Sequence, residues 1–272
     1  VARHFVALED ILQLIDAMSS AKLNKLHVHA TDSTSWPLSS EAHPELSQEG
    51  SWSSSNATIY SKTDIQAIFQ RGRERFVEVM FEIDTPAHTL SMARSHPEMM
   101  TSCFEWMAKS GAKVDVDSDD VMAIDPTNSD AREMVRTLLS EIADLQGEGP
   151  GFVHIGGDEV KFSCWDASDT IRKHAIEKYG NNSNAAYSLL QAEWTANVSA
   201  AAVVAKGKRP VLWQPTTKGV GDPAWDNALP KNAVYMVWLN EESERNYAIN
   251  GQSVVYTTPF YVAGMGSAGY LN

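Results

Sequence analysis

Short apolar runs alternate with amphipathic stretches from one end of this chain to the other, and that alternation dictates the class of fold. The runs lie at residues 23–30, 76–83, 210–213, 233–239 and 253–257, with a further one starting at Phe152. Between them, Ile11, Leu14, Ile15 and Met18 recur at helical spacing, with Glu9 and Asp10 in the first turn. Helices are also expected over 62–72, over 130–145 and in stretches across 166–206. The run Gln146-Gly147-Glu148-Gly149-Pro150-Gly151 stops the second of these. Strands that alternate with helices pair in parallel, with the helices packed outside the sheet. Six or more such alternations in 272 residues favour an α/β chain folded as a (β/α)8 TIM barrel over an open doubly wound sheet. The G-x-G-x-x-G signature of a dinucleotide fold does not follow any strand, and there is no P-loop. Residues 39–58 read as a long polar surface loop, and 91–128 as irregular with a solvated acidic patch at 115–120. No linker or repeat divides the chain, so residues 1–272 read as a single barrel domain. Its opening, Val1-Ala2-Arg3-His4-Phe5, reads as the tail of a strand, and a start at Val1 suits a mature or truncated product.

A net charge of -13 argues against nucleic acid or an anionic membrane as partner, because both repel a like-charged surface. No apolar run reaches the ~20 residues of a membrane span, and no signal peptide is visible. Cys103 and Cys164 are too few for a disulfide scaffold and form no metal-type CxxC, though they could form one bridge. Sequons at Asn56, Asn181 and Asn197 suit a secreted or lysosomal protein.

The chemistry collects where strands end. In His154-Ile155-Gly156-Gly157-Asp158-Glu159-Val160-Lys161 a glycine pair lets the chain turn sharply, and two adjacent acids follow. Consecutive residues on a strand face opposite ways, so both acids enter one cleft only if the backbone bends there. Two crowded carboxyls also invite divided labour, one protonated and one ionised. Alone, such a run could be a turn carrying two solvated acids. Other strand ends add Arg3, His29, Asp32, Asp84 and His88, then Trp213, Trp238 and Tyr261. Acids within aromatic walls suit carbohydrate, since flat sugar faces stack on indole rings while carboxylates act on the glycosidic bond. A competing reading is a metal-dependent barrel hydrolase. His27 and His29 share one strand face, and His88, His154 and Asp32 could complete a site. The plainer account makes His27 and His154 hydrogen-bonded residues beneath the active-site floor.

Four segments resemble the family 20 glycoside hydrolases, the β-N-acetylhexosaminidases, most nearly the eukaryotic lysosomal or secreted type. They are Arg3-His4-Phe5, the stretch from Lys22 through His27-Val28-His29-Ala30-Thr31-Asp32, Glu82-Ile83-Asp84-Thr85-Pro86-Ala87-His88, and His154-Ile155-Gly156-Gly157-Asp158-Glu159. Trp213-Gln214, Val237-Trp238 and Pro259-Phe260-Tyr261 follow in the family's order. The resemblance implies a retaining exo-glycosidase without cofactor, in which the substrate's own acetamido oxygen attacks the anomeric carbon to form an oxazolinium intermediate. It implies Glu159 as general acid and base, Asp158 as orienter of the acetamido N–H, and Tyr261 as donor to the acetamido oxygen. Trp213 and Trp238 would wall the acetamido pocket, Arg3 would hold sugar hydroxyls, and His88 with Asp32 would orient Glu159 from behind.

The resemblance further implies a Cys103–Cys164 disulfide, a lysosomal or extracellular location, an amino-sugar glycoconjugate or chito-oligosaccharide as substrate, and a possible homodimer. Measured against the family, the N-terminal accessory domain and the eighth strand are missing from the sequence, so the barrel is expected to be incomplete. Ala263 stands where many members carry an acid, Ala87 replaces a glycine, Val28 a tryptophan and Ser33 an aspartate. A sugar-binding homologue without activity is the third reading.

Overall fold

The computed structural model describes residues 3, 5–53, 58–104, 122–215, 228–239, 248 and 251–257. Eight strands occur among them: β1 (Lys25–His29), β2 (Glu78–Glu82), β3 (Met100–Ser102), β4 (Met122–Ile124), β5 (Phe152–His154), β6 (Arg209–Trp213), β7 (Val234–Val237) and β8 (Ser253–Tyr256). Six of them form one parallel sheet in the order β1-β2-β5-β6-β7-β8, which curls as part of a (β/α)8 barrel. Spatial order follows chain order, as it must when each strand returns through a helix on the outside.

The helices follow the sequence pattern. Leu8–Ser20 buries Ile11, Ile15 and Met18, but Leu14 is 38% exposed, because it lies at the margin of that stripe. Lys62–Glu74 opens on a capping box in which Ser61 and Asp64 satisfy each other's backbone N–H groups. Ser129–Leu145 is capped by Asn128 and buries Met134, Val135, Leu138, Leu139 and Ile142 against the sheet core. The long helical region after β5 is three α-helices, Phe162–Ala167, Asp169–Tyr179 and Asn184–Trp194, continued by a π-helical turn at Thr195–Ala200 and a last α-helical turn at Ala201–Ala205.

Three segments differ from the sequence reading. Loop 39–58 contains a short helix, Glu45–Gly50, and Gly50 sits so close to Ser91 that an added Cβ would lie 2.8 Å from its carbonyl oxygen. The supposedly irregular stretch after residue 90 holds a helical turn, Leu90–Ala93, and the antiparallel β3–β4 ribbon. Three-residue strands carry too little periodicity to be read locally. The acidic patch at 115–120 lies outside the described residues. Finally, Arg3 is in no strand, although its backbone N–H donates to the His29 carbonyl at the end of β1 (3.0 Å).

Candidate active site

β5 ends at His154, and the next two glycines make the site possible. Gly156 has φ 65°, and a Cβ there would fall 1.9 Å from Asp84 Oδ1. Only glycine fits over that carboxylate. Gly157, at φ 102°, donates its N–H to the same oxygen (3.1 Å), and its carbonyl accepts from buried Gln191 Nε2 (2.9 Å). The chain therefore bends where a strand would have split the two acids. Asp158 turns inward and is 8% exposed, whereas the Glu159 side chain keeps 38% of its surface in solvent. His88 Nε2 faces both, 3.3 Å from Glu159 Oε2 and 3.9 Å from Asp158 Oδ1. Glu159 (φ 50°) and His88 (φ 57°) both hold left-handed backbone conformations that side-chain-bearing residues seldom adopt.

This packing splits the two carboxyls electrostatically. The His88 contact, aided by Lys161 and Arg3, holds Glu159 below the ordinary glutamate range despite partial burial. Burial, reinforced by the charges of Glu82 and Glu159, pushes Asp158 up to about 6 against the pull of His88 and His29. Burial opposes the charge on His88, but Asp84, Glu159, Asp158 and Asp32 outweigh it and raise its pKa to about 10. His88 is thus a cation and, of the two neighbouring acids, Asp158 holds a proton more readily than Glu159; fully buried Asp84 is raised as well, by burial and by the charge of Asp158. Asp158 Oδ1 is buried and meets no hydrogen-bond donor among the described residues.

Behind the acids lies the floor layer in which the sequence placed His27 and His154, built around a carboxylate it did not single out, Glu82. Glu82, fully buried on β2, accepts from Trp213 Nε1 on one oxygen (2.7 Å) and contacts His27 Nε2 with the other (2.6 Å). Burial works against its charge, but the charge of His29 and the His27 contact help to hold it ionised, below the usual range. His154 Nδ1 accepts the Gly156 N–H (3.1 Å), and burial pushes that ring down to about 4, so it is neutral. His29 bridges Asp32 (3.2 Å) and Glu82 (3.4 Å). These carboxylates, with Asp84, outweigh its burial and lift it to about 9. The rings of His27 and His29 do share a face, stacked at 6.3 Å. They are nonetheless engaged with the carboxylates of Glu82 and Asp32, which Trp213 and Arg3 also hold, and this favours the hydrogen-bonded floor over an open metal site. A charged residue in the apolar run Phe81-Glu82-Ile83 was the available signal for Glu82; Gln191, on an ordinary amphipathic helix, gave none.

The remaining predicted residues scatter more. Arg3 Nη1 pairs with Asp32 Oδ2 (3.2 Å), while Asp32 and His88 stand 3.8 Å apart, close enough to interact through charge but too far for a hydrogen bond. Trp213 lies against His154 (ring centroids 4.8 Å) and Trp238 donates its Nε1–H to the Gln214 carbonyl (3.0 Å); both are partly exposed at strand ends. Tyr261 and Ala263 lie outside the described residues, as does Asn56, whereas Asn181 and Asn197 are exposed. Cys103 and Cys164 are joined in a disulfide that fastens the β3 end to helix Phe162–Ala167, just beyond Glu159. An open cleft of about 640 Å³ adjoins Glu159, walled by Lys161, Phe162, Asp166, Asn182 and Tyr187.

Residues 1–267 match the family described as glycosyl hydrolase family 20, catalytic domain. The chain belongs to glycosyl hydrolase family 20. It is 30% identical over 267 residues to the beta-hexosaminidase subunit beta of Homo sapiens, covering 96% of this chain and 44% of that protein. The corresponding subunit of Entamoeba histolytica is 28% identical over 264 residues, with the same two coverages. Among solved structures, a family 20 exo-β-N-acetylglucosaminidase from Vibrio harveyi in complex with N-acetylglucosamine superposes with TM-score 0.73 at 24% identity, over 94% of this chain and 39% of that one. The chain thus spans less than half the length of these relatives. Family 20 membership bears out the sequence resemblance and the barrel architecture, and Asp158 and Glu159 occupy the strand-end position where such barrels place their chemistry.

Proposed function

We propose that this chain is the catalytic part of a retaining exo-glycosidase that releases terminal β-linked N-acetylhexosamine, with the substrate's acetamido oxygen as nucleophile. The observation that carries the reading is the unlike pair at the end of β5: an accessible Glu159 held by His88, beside a buried Asp158 whose Oδ1 lacks a protein donor among the described residues. An acetamido N–H is a donor of the required kind. As its oxygen attacks the anomeric carbon, positive charge develops on that amide, and an anionic Asp158 stabilises it. Glu159 protonates the departing oxygen and then takes a proton from the water that opens the oxazolinium. Glu159 is ionised beside His88, so the acid step requires its proton affinity to rise. A sugar seated over the exposed carboxyl displaces water from it, and desolvation raises a carboxyl pKa. His88, a cation on the far side, keeps the shift moderate enough for the same group to serve as base.

Trp213 and Trp238 supply apolar walls for the acetamido methyl, Tyr261 a hydroxyl to its oxygen, and Arg3 a donor to the outer hydroxyls. The natural substrate would be a glycoconjugate or chito-oligosaccharide met in the secretory pathway or lysosome, where the three sequons and the disulfide are at home. A homodimer of the whole protein belongs to the same reading.

The deciding measurement compares an aryl N-acetyl-β-glucosaminide with the aryl glucoside that lacks the acetamido group. Turnover of the first and not the second, unchanged by chelator at 25 °C, is expected. Equal turnover of both would sink the substrate-assisted mechanism, failure on both would favour a sugar-binding homologue, and loss with chelator would revive the metal hydrolase.

A further inference from the structure

A second cluster of metal-ligating side chains lies away from the catalytic pair. His43 comes from the loop after β1, Glu45 opens helix Glu45–Gly50, and His96 precedes the 3₁₀ turn at Pro97–Met99. One oxygen of Glu45, Oε1, faces two imidazole nitrogens at once, His43 Nδ1 at 3.3 Å and His96 Nε2 at 3.2 Å. With metal–ligand bonds of about 2.0–2.1 Å, neighbouring ligands on a tetrahedral zinc stand about 3.3 Å apart. The three ligand atoms all lie within 4.8 Å of one another.

The hydrogen bonding around His96 orients the ring for coordination. Ser95 Oγ lies within hydrogen-bond distance of both the Met92 carbonyl (3.3 Å) and His96 Nδ1 (2.9 Å). That contact leaves Nε2 on the side of Glu45. Partial exposure of all three side chains (24%, 35% and 13%) leaves room for a water as fourth ligand.

We propose that His43, Glu45 and His96 form a zinc site that staples the loop after β1 to the segment after β2. Two imidazoles with one carboxylate suit zinc better than calcium or magnesium, which prefer oxygen ligands. The two segments tied together are continuations of those that carry Asp32 and His88, so the ion would act as a structural clamp on the catalytic floor's outer rim.

Zinc titrated into the chelator-stripped protein at pH 7.5, in competition with a chromophoric chelator, tests this. One equivalent should bind with micromolar or tighter affinity, cobalt should give the visible bands of a tetrahedral site, and zinc should raise the thermal midpoint. His43→Gln and His96→Gln should each weaken binding at least about tenfold and abolish the zinc-dependent rise in midpoint, while leaving turnover per folded molecule unchanged. If a variant fails to fold, Glu45→Gln gives the same readings. Absence of stoichiometric binding would overturn the proposal, as would zinc binding undiminished in the variants.

Discussion

The two neighbouring acids at the end of β5 are expected to respond to substitution in different ways. Glu159→Gln removes a proton donor, which general acid catalysis values at about 10²–10⁴-fold in rate. The loss should shrink for substrates whose leaving group departs without protonation, so a comparison of aryl and alkyl aglycones checks it. Asp158→Asn should lower the rate for all leaving groups alike, because its proposed role is on the acetamido side. It should also stabilise the fold. Asp158 is raised from 3.8 to about 6 by burial, so its ionised form is disfavoured in the native state. That penalty is absent at low pH, develops as pH rises from about 4 to 6, and amounts to about 3 kcal/mol above that window. Chemical denaturation at pH 7 should therefore show Asp158→Asn to be more stable than the parent, with the difference vanishing near pH 4. A variant that loses both activity and stability at pH 7 would contradict the reading of Asp158 as a buried, costly anion. The sequence made the pair itself legible, since adjacent acids after a glycine pair are a local signal. Which acid was buried was not legible: it follows from Asp84 under Gly156 and His88 under Glu159, contacts made across 72 and 71 residues of chain.

Among the elements, the sheet strands and the longer helices were readable because each carries its own periodicity and caps, as Asn128 and the Ser61–Asp64 box illustrate. The β3–β4 ribbon was not, since its stability comes from pairing and from the Cys103–Cys164 bond rather than from its own residues. That bond also carries Thr101 to within hydrogen-bonding distance of the Cys164 carbonyl (2.8 Å), so ribbon and helix Phe162–Ala167 are joined twice. The disulfide spans 61 residues of sequence, for which the chain-entropy model gives about 4 kcal/mol of stabilisation. Reduction, or the paired Cys103→Ser and Cys164→Ser substitutions, should lower the unfolding free energy by roughly 3–4 kcal/mol. Because the helix begins three residues after Glu159, the catalytic rate should fall with it at temperatures where the oxidised protein is still active. Unchanged denaturation midpoints with and without reductant would show the bridge to be dispensable.

For the molecule as a whole, the buried histidine–carboxylate layer ties folding to pH more strongly than the surface charge does. A net charge of -13 spread over exposed residues is screened by salt, whereas His29 and His88 are almost fully buried among Glu82, Asp84, Asp32 and Asp158. Both rings are raised above the 6.5 of an unfolded histidine, to about 9 and about 10. The sign follows from linkage. A group with a raised folded pKa contributes stability that is complete below its unfolded pKa and is lost as pH climbs through the folded value. The window for that loss runs from about pH 6.5 to 10. On the acid side Asp32, lowered by His29, His88 and Arg3 against its burial, gives stability present above 3.8 and lost as pH falls through its folded value. Stability should consequently peak in the mildly acidic range and decline steadily toward alkaline pH, by a few kcal/mol, with the decline starting well below the pH at which lysine or tyrosine titrates. Urea unfolding from pH 5 to 10 measures the decline directly. His88→Gln, which keeps the ring's approximate volume but not its charge, should lower stability near pH 6 and flatten the alkaline limb. If the parent's stability were level between pH 6.5 and 10, or if His88→Gln declined as steeply as the parent, the cationic state assigned to His88 would be wrong, and with it the reason Glu159 is held ionised beside it.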